Sequence, residues 1–239
     1  LRYSQIYADS FAADSKPEKV LICAQNSPEW CFAFYGTMRC NAIAVPLDSQ
    51  STKKEIEYVI NDCRPDIVFI SEDKQDMFND INLQGARLLT KNDIPLSDNE
   101  DIPATDIPLG DNNATMLINY TSGTTGNPKG VMLSFKNVMF NVDSVSKQVP
   151  IFQEDSNVMM LLPVHHILPL LGSVVAPLYM GGTAHIAEAM NAESIIKTLN
   201  AGAVSIIIGV PRLYDMLVKG VMNKINASFV TRLLYKITK

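Results

Sequence analysis

Six short apolar runs, most of them rich in β-branched residues, recur along this chain: Val20 to Ala24, Ala42 to Pro46, Ile67 to Ile70, Met116 to Tyr120, Val158 to Leu162 and Val204 to Ile208. Between them lie stretches with helical character. Glu29 to Cys40 is apolar enough for a buried helix, and Lys53 to Asn61 follows Ser51 and Thr52, which can cap it, and precedes a stop at Asn61, Asp62 and Pro65. Ser134 to Lys147 and Asn191 to Asn200 complete the set, the latter opening on an N-cap asparagine. Near-continuous hydrophobic strands alternating with helices require both faces of a sheet to be covered. The expected fold class is therefore α/β, with doubly wound, largely parallel sheets and flanking helices. With 239 residues, 47% of them hydrophobic, the chain has material for a sizeable core.

The remaining composition narrows the function classes. A net charge of -5 gives no overall attraction to a nucleic-acid backbone. Cys23, Cys31, Cys40 and Cys63 form no CxxC pair and have no histidine cluster nearby, so they read as buried thiols in a reducing, cytoplasmic setting. The segment from Ser156 to Ala187 carries no Asp, Glu, Lys or Arg and exceeds the roughly 20 residues that span a bilayer. Its Pro163, Pro169, Pro177, Gly181 and Gly182 argue instead for a buried strand, turn, helix and second strand. No transmembrane segment is expected. Lys91 to Asn113 has three prolines, six acids and one lysine, and reads as an exposed connection, either a subdomain boundary or a long surface loop. Arg212 to Lys239 has six basic residues against Asp215 alone, with Phe229, Leu233 and Ile237 at helical spacing. Such a helix can rest peripherally on an anionic membrane or pack its stripe on other protein, and packing is the favoured reading. The chain starts at Leu1, without methionine or a secretory signal, so a fragment is expected.

The segment that carries chemistry is Tyr120 to Gly130, YTSGTTGNPKG. Gly123, Gly126 and Gly130 allow backbone amides to turn inward, the hydroxyls of Thr121, Ser122, Thr124 and Thr125 can donate to phosphate oxygens, and Lys129 adds a cation. This suits a polyphosphate. A standard P-loop would need Gly-Lys-Ser/Thr where Pro128, Lys129 and Gly130 stand, and no GxGxxG occurs.

These eleven residues resemble the phosphate-binding signature of the adenylate-forming superfamily of acyl-CoA synthetases, adenylation domains and luciferases. The likeness extends along the chain. Leu1 to Ile6 resembles the tail of the family's first core motif and Ala42 to Asp48 (AIAVPLD) the second, each of which alone reads as a strand and a turn. Leu162 to Leu168 (LPVHHIL) resembles the fourth motif, which places an aromatic or histidine beside the acyl pocket, and Val210 to Tyr214 (VPRLY) is similar to a segment of long-chain acyl-CoA synthetases. On that resemblance His166 lies at the pocket and His165 supports the turn. An adjacent pair with no third ligand does not read as a metal site.

The resemblance implies the N-terminal part of a fatty acid-CoA ligase. ATP and a carboxylate give acyl-AMP, and coenzyme A then takes the acyl group, with Mg2+ accompanying the phosphates. Amino-acid-activating members carry an aspartate in the fourth motif, whereas here no acid occurs from His165 until Glu188, which suits a fatty acid. The family's Mg2+ ligand, adenine-binding residues and mobile C-terminal domain with its catalytic lysine are expected after residue 239. The fold is thus that of a truncated N-terminal domain, no catalytic residue is assigned, and Lys129 is not the missing lysine. An aryl acid, a carrier-protein acceptor or a non-catalytic nucleotide-binding domain are the alternatives.

Overall fold

The computed structural model describes residues 2–95, 111–121, 128–189 and 191–227. Its main sheet contains β1 (Lys19–Cys23), β2 (Ile43–Pro46), β3 (Ile67–Ile70), β4 (Arg87–Leu89), β5 (Thr115–Thr121) and β6 (Lys129–Ser134), in the order β4-β3-β1-β2-β5-β6. The first five strands are parallel and β6 runs antiparallel to β5. Alternate residues of β1 face opposite ways. Val20 and Ile22 join Tyr7, Phe11, Trp30 and Phe34 in one core, while Leu21 and Cys23 join Ile56, Val59 and Ile60 in another. Helices α1 (Arg2–Phe11) and α2 (Pro28–Arg39) therefore cover one face, and α3 (Lys53–Cys63) and the short α4 (Gln75–Asn79) the other, as a doubly wound sheet requires.

A second, wholly parallel sheet holds β7 (Asn157–Met160), β8 (Thr183–Ile186) and β9 (Ile206–Ile207) in the order β8-β7-β9. Val158 and Met160 belong to the same core as β1 and α2, and Met159 packs with Ile195 and Leu213. Those two residues sit on α8 (Ala192–Ala201) and α9 (Pro211–Asn226). The uncharged segment resolves into β7, a turn, a helical run over 167–179 that ends in α7 (Ala176–Tyr179), and β8. That run widens into a π turn at Leu171–Val175, just before Pro177, which has no N–H to give the Ser173 carbonyl. No helix among the described residues is long and apolar enough to cross a membrane.

Several local expectations change. Residues 2–6, read from sequence as strand and turn, open helix α1. Its Ile6, Tyr7 and Phe11 are buried at helical spacing, and Gly36 admits it, since a Cβ there would sit 2.8 Å from Tyr7 Cβ. Helix α3 runs past Asn61 and Asp62 to Cys63 and stops where Arg64 adopts a left-handed φ of 46°. The helix expected from Ser134 to Lys147 is α5 (Phe135–Asp143), capped by Ser134, followed by a π turn at Ser144–Gln148. Strands β4 and β6 had no counterpart in the sequence reading. Of the basic C-terminal segment, α9 carries 211–226, and Phe229, Leu233 and Ile237 lie outside the described residues. All four cysteines are free, and burial pushes Cys23 and Cys31 up to about 12 and Cys40 and Cys63 up to about 11.

Candidate active site

Strand β5 delivers the signature to the carboxyl end of the parallel sheet. Its ladder with β6 pairs Thr121 with Lys129 and Tyr120 with Gly130, so the signature straddles a β-hairpin, unlike the strand-to-helix turn of a P-loop. Thr121 and Lys129 are both exposed at its mouth. Ser122, Gly123, Thr124, Thr125 and Gly126 lie outside the described residues.

Gly130 serves a packing purpose that sequence alone does not indicate. A Cβ there would stand 2.8 Å from Ile118 Cγ2 and 3.2 Å from Tyr120 Cζ, so its absence lets the Tyr120 ring cross the ladder. The Tyr120 hydroxyl donates to Asp62 Oδ2 at 2.6 Å, and burial, followed by this bond, raises its pKa well above the usual phenol range. The base of the hairpin is thereby tied to the end of α3.

The histidine turn, 162–166, sits at the same end of the sheet, held from three adjacent strands. Beyond β1, Asn26 donates from Nδ2 to the Leu162 carbonyl at 2.8 Å and accepts from the Val164 N–H at 3.1 Å. Beyond β2, Asp48 Oδ2 lies 3.7 Å from His165 Nε2. On β5, Asn119 Nδ2 donates to the His165 carbonyl at 2.6 Å. Burial lowers the His165 pKa, Asp48 opposes that shift and His166 adds to it, leaving a neutral ring at neutral pH. His165 has a side chain only 13% exposed, whereas His166 is exposed at the N-cap of α6 (Ile167–Leu170) with no capping bond. Their rings lie 4.1 Å apart.

Thr121 lies two positions beyond Asn119 on β5, a rise of about 7 Å. The hairpin mouth and the histidine turn are therefore neighbours on one sheet edge. Among the described residues no group of three or more His, Cys, Asp or Glu side chains could hold a metal ion. The donors at the mouth, a hydroxyl and an ammonium, suit phosphate oxygens.

This arrangement matches a known family. The family profile of AMP-binding enzymes covers residues 10–234. The chain belongs to the AMP-binding enzyme family. The mitochondrial malonate–CoA ligase ACSF3 of Xenopus laevis is 26% identical over 213 residues, covering 86% of this chain and 37% of that protein. The human long-chain-fatty-acid–CoA ligase ACSBG2 is 24% identical over 212 residues, covering 80% of this chain and 32% of its own. Among solved structures, ATP-bound MatB from Rhodopseudomonas palustris superposes with a TM-score of 0.77 at 25% identity, covering 90% of this chain and 44% of that one. The chain thus spans about a third of the length of these curated relatives.

In this member of the family, Asn26, Asp48, Asp62 and Asn119 had no role in the site from sequence alone. One signal was available: Asn119 is a polar residue inside the apolar run from Met116 to Tyr120, and it is 6% exposed. A buried amide in a strand needs a partner, and the partner names the element it serves.

Proposed function

We propose that this chain is the N-terminal portion of an ATP-dependent acid–CoA ligase acting on a fatty acid. The observation that carries the reading is the single sheet edge on which β5 sets the phosphate signature beside the histidine turn. Thr121, Ser122, Gly123, Thr124, Thr125, Gly126 and Lys129 hold the β- and γ-phosphates of ATP. A substrate carboxylate oxygen, placed near His166 with His165 supporting the turn, attacks the α-phosphorus. The bond to the bridging oxygen breaks, and pyrophosphate leaves with the electron pair. The thiol of coenzyme A then adds to the acyl carbon, AMP departs, and the thiol proton passes to solvent. The chain's own share is positioning and charge stabilisation. Mg2+ accompanies ATP in this reading and shields its phosphate charge, while the described residues supply no carboxylate cluster to hold it.

The fatty acid is favoured over malonate or an amino acid by charge. A malonyl group carries a second carboxylate and an amino acid an ammonium, each costly to enclose without a partner. The segment from Ser156 to Ala187 contains no Asp, Glu, Lys or Arg, and Ile167, Leu168, Leu170 and Leu171 follow the histidines. On this reading residues 1–239 are a partial N-terminal AMP-binding domain, 91–113 the connection between β4 and β5, and the protein is cytoplasmic. The test is carboxylate-dependent exchange of pyrophosphate into ATP by the full-length protein, with acetate, long-chain fatty acids, malonate, aryl acids and amino acids. Exchange is expected to be fastest with a fatty acid. Fastest exchange with malonate overturns the substrate class, and silence with every acid overturns the ligase reading.

A further inference from the structure

Asn119 does something that an ordinary strand residue cannot. It is buried in β5, a strand whose Met116 and Leu117 are buried apolar residues. An amide there is costly unless bonded, and the bond it makes leaves the strand entirely, reaching the His165 carbonyl at 2.6 Å. That carbonyl immediately precedes His166, and Thr121 lies two residues further along β5. The next residue, Tyr120, braces the same strand on its other side through Asp62.

We propose that Asn119 is a positioning residue that fixes the carboxylate-binding turn against the phosphate-binding hairpin and so sets the line of attack on the α-phosphorus. The inference rests on the ligase reading above. In-line displacement depends steeply on geometry, and a misplacement of about 1 Å costs about 100-fold in rate. Asn26 and Asp48 anchor the turn to β1 and β2, and among the described residues Asn119 alone anchors it to the strand that carries the phosphate signature.

The experiment uses the full-length protein and two substitutions, Asn119→Ala and Asn119→Asp, with Leu117→Ala as a packing control on the same strand. Pyrophosphate exchange is measured on folded enzyme, with ATP binding and thermal unfolding followed alongside. Both Asn119 variants are expected to lose 10- to 100-fold in kcat, with KM for ATP changing less than about threefold, while Leu117→Ala lowers Tm and leaves kcat within about threefold. The aspartate is the sharper probe, because its carboxylate faces a carbonyl and can donate only when protonated. Asp48, His165 and His166 surround the turn in all three proteins, so activity is taken relative to the unsubstituted enzyme at each pH, and on that scale Asn119→Asp regains activity as pH falls and Asn119→Ala does not. Unchanged kcat in both variants, or identical pH profiles for the two, overturns the proposal while leaving the ligase reading standing. Absence of exchange in the unsubstituted enzyme with every acid overturns both.

Discussion

Asn26 shows how much one amide contributes to this site. It answers both the Leu162 carbonyl and the Val164 N–H, and Asn26→Ala would leave both half-buried groups without that partner. The expected loss is about 1–3 kcal/mol of stability, read from denaturant midpoints. No change would mean that the turn is held elsewhere. His165 makes a second prediction, through pH. The folded chain keeps its ring neutral where the unfolded chain protonates it near the ordinary value of about 6.5, so the unfolded state takes up the extra proton. Stability from this group is therefore full above that pH and is lost as pH falls below it, until the folded ring also protonates. His165→Gln is expected to flatten the dependence of Tm on pH between about 7 and 5, and equal slopes would contradict the assignment. At this scale the sequence was informative where the chemistry was concentrated. The hydroxyls and Lys129 of the signature were legible, because no ordinary turn gathers such groups. Asn26 and Asn119 were not, because their partners lie 136 and 46 residues away.

Elements were legible where one physical cause dominated. Strands β1, β3 and β7 are buried on both faces, so hydrophobicity alone marked them. The edge strand β6 is exposed along Lys129, Gly130, Val131 and Met132, and it merged in the sequence with the loop before it. Helix α1 was misread because its amphipathic pattern has meaning only against the partners it packs on, Phe69 of β3 and helix α2. Arg39 Nε donates to Ser4 Oγ at 2.9 Å there, and Gly36 permits the close approach. Gly36→Ala would place a methyl 2.8 Å from Tyr7 Cβ and 3.1 Å from the Ala8 backbone nitrogen, so one helix must shift. A destabilisation of about 1–3 kcal/mol is expected, measured by equilibrium unfolding. An unchanged midpoint would show that the two helices can separate freely.

Across the whole molecule, the doubly wound topology accounts for the place of the site. Helices cover both faces of the main sheet, leaving the carboxyl ends of its parallel strands as the open edge, and there β1, β2 and β5 each extend a side chain to the histidine turn. This convergence follows from strand order, which alternating hydrophobicity does not encode. The family resemblance supplied both motifs but not the bonds that bring them together. In the proposed ligase one edge holds ATP phosphates and substrate carboxylate at two adjacent stations. The most direct test of that arrangement is steady-state exchange kinetics of the full-length protein carrying Lys129→Ala or His166→Ala, with ATP and fatty acid varied in turn. Lys129→Ala is expected to raise KM for ATP about tenfold and leave KM for the acid nearly unchanged, and His166→Ala to do the reverse. Equal effects of both substitutions on both substrates would contradict the arrangement.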